Sequence, residues 1–326
     1  MSAYRLLADI GGTNARFALQ APGAGCADID VLACRDHDHI GAAMDAYLAG
    51  AAARGHATDG LRHAAIAIAN PVEGDVVSMT NHHWRFSIAA LRAARGLDTL
   101  LVVNDFAALA MALPHLDEAG RERIGGADGA AQAGRPIGLI GPGTGLGVSA
   151  VVPAPGPGGT QWIALPGEGG HASFAPVTRQ ETALLEALRE EHGHVSAERL
   201  LSGPGLEAIH RVLAGERLAA AAITARALDG TSAACRATVD VFCAMLGGVA
   251  GNVALTLGAT GGMYIGGGIV PRLGPLFHAS AFRARFEGKG RLQPWLARVP
   301  TWLVTEPYPA LCGVAAMLDA ASRQSS

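Results

Sequence analysis

One local pattern occurs twice in this chain, and it constrains the fold more than any other feature. An apolar strand runs into a glycine turn that carries a threonine, and a second apolar strand returns. The first copy is Tyr4-Arg5-Leu6-Leu7-Ala8-Asp9-Ile10, then Gly11-Gly12-Thr13, then Ala15-Arg16-Phe17-Ala18-Leu19. The second is Pro136 to Ile140, then Gly141-Pro142-Gly143-Thr144-Gly145, then Leu146 to Val152. Strand, glycine turn and strand is a hairpin pattern. The 326 residues, 50% of them apolar, exceed what one hydrophobic core usually supports. Two lobes are therefore expected, each opening on one hairpin: 1–113, a small α/β lobe, and 114–309, a large one. The boundary falls near Leu113-Pro114, and a C-terminal helix, 310–326, is free to return to the first lobe.

Between these landmarks the pattern predicts helices at 41–53, 179–191, 205–213, 224–228, 235–257 and 310–321, with Ser87 capping another that runs to about Arg95. Gly230 stands where a helix would end. Ala64–Ala69, Leu100–Val103 and Met263–Ile265 read as strands, the second apolar enough for a sheet covered on both faces. Pro153–Thr160 holds only proline, glycine, alanine and threonine, and is expected as a solvent-facing loop. Val241–Pro271 carries no charge and could be mistaken for a membrane span. Its nine glycines, Asn252 and the break at Gly261-Gly262 predict a buried helix, a turn and a buried strand instead.

Composition removes several function classes. A net charge of −3 with no basic run argues against nucleic acid as a partner. Nearly all positive charge is arginine, and Lys289 is the only lysine, which excludes a Walker-type phosphate loop. Cys26, Cys34, Cys235, Cys243 and Cys312 are odd in number and widely spaced, so neither a disulfide framework nor a zinc cluster is expected. The N-terminal run contains Asp9 and no cleavage site follows, so it does not read as a signal peptide. A cytoplasmic protein is the expectation.

Five constellations could carry chemistry. In Asp9-Ile10-Gly11-Gly12-Thr13-Asn14, glycines let amide groups approach an anion, and Asp9 could hold Mg²⁺ through water; a tight turn is the plainer reading. Gly141-Pro142-Gly143-Thr144-Gly145-Leu146-Gly147 fails the dinucleotide spacing and precedes a strand, which suits a phosphate-cradling hairpin. Gly266-Gly267-Gly268 allows a bulky ligand close, or else close packing of a helix on a strand. Asp105, straight after an apolar strand, is costly unless paired or functional; it could receive the proton of an attacking hydroxyl, or cap a helix. Glu168 and His171 sit three apart among glycines and could bind neighbouring hydroxyls; Glu198 is a weaker candidate, with a solvated helix charge as its alternative. Asp36-His37-Asp38-His39 lacks a second cluster and reads as a polar loop, and His82-His83 beside Trp84 lines a pocket or caps a turn.

Taken in order, these pieces resemble the bacterial glucokinase family. Ala8–Arg16, Met79-Thr80-Asn81-His82, Asn104-Asp105-Phe106, Gly143–Gly147, Leu165–His171, His194–Arg199, Leu201–Gly205 and Gly266–Pro271 carry the resemblance, which covers nearly the whole chain. The resemblance implies a two-lobed ribonuclease H-like, actin-like ATPase fold with its active site in the cleft between lobes. It implies ATP and Mg²⁺ as co-substrates, glucose as acceptor and commonly a homodimer. By match, Ala8, Asp9, Ile10, Gly11, Gly12 and Thr13, with Gly143, Thr144 and Gly145, would hold phosphates. Gly266, Gly267 and Gly268 would lie against the adenosine. Asn104, Asp105, Glu168, His171 and Glu198 would hold the sugar, with Asp105 as base and with Asn81 and Asn70 as further lining positions. A related repressor-containing group usually carries a zinc-binding cysteine cluster and an N-terminal DNA-binding segment; neither is seen here. A kinase for another hexose or N-acetylhexosamine, a non-catalytic sugar sensor and a chaperone-type ATPase are the rival readings.

Overall fold

The computed structural model describes residues 4–80, 82–126, 132–156 and 159–324. In chain order the strands are β1 (Arg5–Ile10), β2 (Asn14–Gln20), β3 (Cys26–Ala33), β4 (His63–Ile68), β5 (Val76–Ser78), β6 (Arg85–Ser87), β7 (Thr99–Asn104), β8 (Arg121–Gly125), β9 (Ile137–Pro142), β10 (Leu146–Gly156), β11 (Gly159–Leu165), β12 (Gly262–Ile265) and β13 (Thr301–Val304). The helices are α1 (Ile40–Ala53), α2 (Ile88–Ala94), α3 (Asp105–Ala112), α4 (Arg179–His192), α5 (Gly203–Ala214), α6 (Ala220–Leu228), α7 (Ala233–Leu257), α8 (Val270–Leu273), α9 (Pro275–His278), α10 (Phe282–Glu287), α11 (Gln293–Ala297) and α12 (Pro309–Gln324).

Both glycine turns join antiparallel partners, β1 with β2 and β9 with β10. Each hairpin then seeds the same kind of sheet. One has the order β3-β2-β1-β4-β7, with β1, β4 and β7 parallel. The other has the order β11-β10-β9-β12-β13-β8, with β9, β12 and β13 parallel. The chain divides into two compact units: Met1–Leu116 with Ala154–Ala164 and Pro307–Ser326, and Asp117–Pro153 with Leu165–Glu306. Against the 114–309 lobe drawn from sequence, Ala154–Ala164 group with the first unit.

In the first unit the side chains of β1 and β4 divide by the two-residue period of a strand. Leu6, Ala8, Ile10, Ala64, Ile66 and Ile68 pack with Met44 and Tyr47 of α1 on one face. Leu7, Ala65 and Ala67 pack with Leu311, Val314 and Leu318 of α12 on the other. Arg5, 4% exposed, ties α12 to the sheet: its guanidinium donates to Asp319 and to Gln20, each at 2.6 Å. A charge this deep is tolerable only when so bonded. Helix α12 also lies against α3, so closely that a Cβ on Gly313 would overlap the carbonyl of Ala108. In the second unit, α5, α7 and α10 cover β9, β10 and β12 around one core that includes Leu146, Leu206, Leu246, Ile265 and Phe286.

Several expectations need correcting. Pro153–Thr160 is not a loop throughout: β10 continues to Gly156, and β11 starts at Gly159. Past Val151 strand β10 has left β9, so prolines there cost the sheet no ladder bond on that side. The apolar run of β7 is largely half-buried rather than sealed on both faces. The uncharged stretch 241–271 does hold a helix, a turn and a buried strand. Helix α7 is long and apolar enough to cross a membrane, and 61% of its most apolar window is buried inside the protein. Ser87 caps α2, its hydroxyl accepting from the Ala90 amide, and Gly230 follows α6 at φ 73°. His39, read as loop, caps α1 by accepting from the Ala42 amide at 3.0 Å.

Candidate active site

The expected site residues form two groups, one on each unit. On the first unit, Asp9 stands near the end of β1 and faces Arg16 across the hairpin. The Arg16 guanidinium donates to Asp9 Oδ2 at 3.1 Å. Burial still holds the Asp9 carboxyl above its ordinary range, with Arg16 pulling the other way. Beyond it the Gly11-Gly12-Thr13 turn closes through Gly11 N–H to Asn14 O at 2.9 Å, and Thr13 lies exposed at the tip.

Asp105 is the first residue of α3, and the residue that caps this helix is Asn104. Asn104 Oδ1 accepts from the amides of Phe106 and Ala107, at 2.9 and 3.1 Å. Asn104 Nδ2 donates to Asp105 Oδ1 at 3.1 Å and to Asn70 O at 3.4 Å. Asp105 Oδ1 also accepts from the Phe106 amide at 2.8 Å. Asp105 Oδ2 has no hydrogen-bond partner among the described residues. Burial first, and then the negative charge of Asp9, push the Asp105 carboxyl up to about 6. A carboxylate so placed is a competent proton acceptor near neutral pH. Asn70 Oδ1 accepts from the amide and hydroxyl of Thr80, so this side chain shapes the neighbouring turn. Asn81 lies outside the described residues.

On the second unit, short backbone bonds bring together residues that are far apart in sequence. Ala197 N–H donates to Ala172 O, Phe174 N–H to Val195 O and Glu198 N–H to Gly170 O, all at 2.9 Å. This ladder sets Glu168, His171 and Glu198 side by side. His171 Nε2 is 3.9 Å from Glu168 Oε2, and His171 Nδ1 is 3.8 Å from Glu198 Oε1. These gaps exceed hydrogen-bond length. Glu168 and His171 are exposed, at 73% and 61%, while Glu198 is 31% exposed.

Glu198 has a second attachment. Its Oε2 accepts from the Leu146 amide at 2.9 Å, just after the Gly143-Thr144-Gly145 turn. Gly203 N–H, at the start of α5, donates to Gly143 O at 2.9 Å, and Gly143 N–H to Gly145 O at 2.8 Å. Thr144 is exposed at this tip. Gly267, at φ 76°, lies against the same turn, where a Cβ would overlap Pro142 O. Gly266 N–H donates to Ile140 O, which fixes the glycine triplet to β9.

Sequence reasoning gave no role to Arg16 or Cys34. Arg16 carries a signal, since a charge on the returning strand sits opposite Asp9 in any such hairpin. Nothing local marks Cys34. Asp9 supplies a hard oxygen donor of the kind Mg²⁺ prefers, and one or two carboxylates beside substrate phosphates are a usual set. No cluster of three metal-binding side chains occurs among the described residues.

A profile of the family described as Glucokinase matches residues 6–321. A glucokinase of Chromobacterium violaceum is 53% identical over 321 residues, which are 96% of this chain and 89% of that protein. A bifunctional protein glk of Paraburkholderia xenovorans is 52% identical over 321 residues, 96% of this chain but 48% of that protein. The chain thus spans about half the length of the bifunctional relatives it matches. The crystal structure of a glucokinase from an Antarctic psychrotroph matches with a TM-score of 0.87 at 36% identity, covering 98% of this chain and 100% of that one. The α/β fold of the actin-like ATPase class, expected from the sequence, is the fold of such neighbours.

Proposed function

The chain belongs to the glucokinase family, and on that premise we propose that it transfers the γ-phosphoryl group of ATP to the 6-hydroxyl of D-glucose. The observation that carries this reading is Asp105: a carboxyl raised to about 6, with one oxygen held by Asn104 and Phe106 and the other left for a substrate.

In the reaction, glucose O6 attacks the γ-phosphorus and the bond to the β-bridging oxygen breaks, releasing ADP. The O6 proton passes to Asp105 Oδ2. Phosphoryl transfer runs through a loose transition state, so a weakly basic aspartate is enough. Asn104 fixes the carboxylate's direction. Glu168, His171 and Glu198 bind the other hydroxyls; their separations of 3.8 and 3.9 Å leave room for a hydroxyl to bridge them. The Gly11–Thr13 and Gly143–Gly145 turns present amides and threonine hydroxyls to phosphate oxygens, and Gly266–Gly268 accept the adenosine. Mg²⁺, held through Asp9 by water, would supply positive charge to the phosphates. A homodimer in the cytoplasm belongs to the same reading by family resemblance.

The test is formation of glucose 6-phosphate from glucose, ATP and Mg²⁺ by the purified chain, with a panel of hexoses and N-acetylhexosamines alongside. Product from glucose that disappears on chelation and returns with Mg²⁺ is the expected result. ATP and glucose binding without product would favour a sensor, and preference for another sugar would reassign the substrate.

A further inference from the structure

The Gly11-Gly12-Thr13 turn is gripped from behind by one residue. Cys34 follows β3 directly and is fully buried. Its backbone N–H donates to Thr13 O at 2.8 Å. Its thiol donates to Gly11 O at 3.4 Å, within reach for sulfur. Thus two carbonyls of the turn, one on each side of Gly12, point inward at the same residue.

Peptide planarity turns this into a statement about the outside of the loop. In a trans peptide the C=O and the following N–H point in opposite directions. With Gly11 O directed into the protein at Cys34 Sγ, the Gly12 N–H is directed away from the interior. It has no acceptor among the described residues. We propose that Cys34 is a positioning residue, whose thiol orients the Gly11–Gly12 peptide so that the Gly12 amide is offered to a nucleotide phosphate. The inference rests on the kinase reading only in taking the bound anion to be a nucleotide's phosphate.

Two further observations agree with it. Burial pushes the Cys34 thiol above its usual range, so the sulfur keeps the proton it donates. The bond that closes the turn, Gly11 N–H to Asn14 O at 2.9 Å, lies on the other side of Gly11 and does not hold the Gly11–Gly12 peptide, and a Cβ built on Gly11 would meet only Asn14 O, at an ordinary 3.5 Å. Without an anchor, the Gly11–Gly12 peptide could rotate and withdraw its amide.

The experiment compares Cys34→Val, which keeps the size and loses the donor, with Cys34→Thr, which keeps a donor. ADP binding by calorimetry, separate KM values for ATP and glucose, kcat and thermal midpoint are read for each. A thiol–carbonyl bond is weak, so Cys34→Val should raise the ADP Kd and the ATP KM about threefold to fivefold. Its glucose KM and kcat should stay within about twofold of wild type, since the bond removed ends on the Gly11 carbonyl and on none of the residues proposed to hold sugar. Cys34→Thr should restore nucleotide binding. Equal nucleotide affinity in Val and wild type would overturn the proposal. So would equal loss in Val and Thr, or a parallel change in all constants with a fallen midpoint, since either marks packing alone. Should the wild type bind ADP yet fail to phosphorylate glucose, the kinase reading fails while the Kd series still decides the role of Cys34.

Discussion

The two threonine-bearing turns look alike in sequence and are held by different physics. In the first, the glycine at position 11 is not demanded by packing: a Cβ there has ordinary room. The turn is anchored by backbone carbonyls that end on Cys34. In the second, a Cβ at Gly145 would overlap Glu198 Oε2, and one at Gly267 would overlap Pro142 O. At Gly267 glycine is required before any ligand arrives, because the obstacle is backbone and φ is 76°; at Gly145 the obstacle is the Glu198 carboxylate, which would have to leave the Leu146 amide to make room. The difference teaches that one motif can leave open space in one place and form a packed joint in another. It also shows how the second turn is mechanically tied to the residue proposed to hold sugar, whereas the first is tied to the sheet.

The largest effect should come from Asp105 of the first unit, the carboxylate proposed as the base. Asp105→Ala should lower kcat by about 10²–10⁴ while glucose binding by calorimetry persists. An active variant would move the base elsewhere. The contrast between turns is itself broken or sharpened by a matched pair. Gly145→Ala should cost about 1 kcal/mol of stability, the worth of the Glu198–Leu146 hydrogen bond it displaces, and raise the glucose KM about tenfold as Glu198 moves. Gly11→Ala should leave the thermal midpoint nearly unchanged and act on the ATP KM instead. Equal falls in midpoint would erase the distinction.

A smaller change is expected at the exposed side of the sugar group. Glu168→Gln should raise the glucose KM about fivefold, the worth of one charge-assisted hydrogen bond weakened to a neutral one. Its ATP KM should not move. The smallest effect is a displacement of the pH profile. Asp105 must be ionised to accept a proton, so kcat/KM should rise with pH through about 6 and level off above it. Because the charge of Asp9 helps to raise the Asp105 carboxyl, Asp9→Asn should move the acid limb to lower pH, whatever else it does to the rate. A limb that stays in place would show that burial alone sets it.

Much of the site was legible because its residues sit in unusual company. Asp105 stands out as a charge at the end of an apolar strand, and Glu168 and His171 stand out among glycines. Glu198 did not stand out, since a glutamate between a short turn and a helix looks like any solvated charge. Its place beside His171 appears only when the Gly170–Glu198 and Ala172–Ala197 backbone bonds are formed. Asp105 was also read with helix capping as a rival role, and the structure assigns the cap to Asn104, one residue earlier.

The sequence by itself determined the doubled hairpin, the buried uncharged helix and the placing of a carboxylate, Asp105, at the end of an apolar strand, because strand period, turn chemistry and the cost of a buried charge are local properties. Only the tertiary structure decided which residues back the two turns. Cys34 reaches Gly11 from 23 positions away, and Glu198 reaches Leu146 from 52. Likewise Arg5 finds Asp319 across 314. Such contacts depend on how sheets and helices stack, and no spacing along the chain records that.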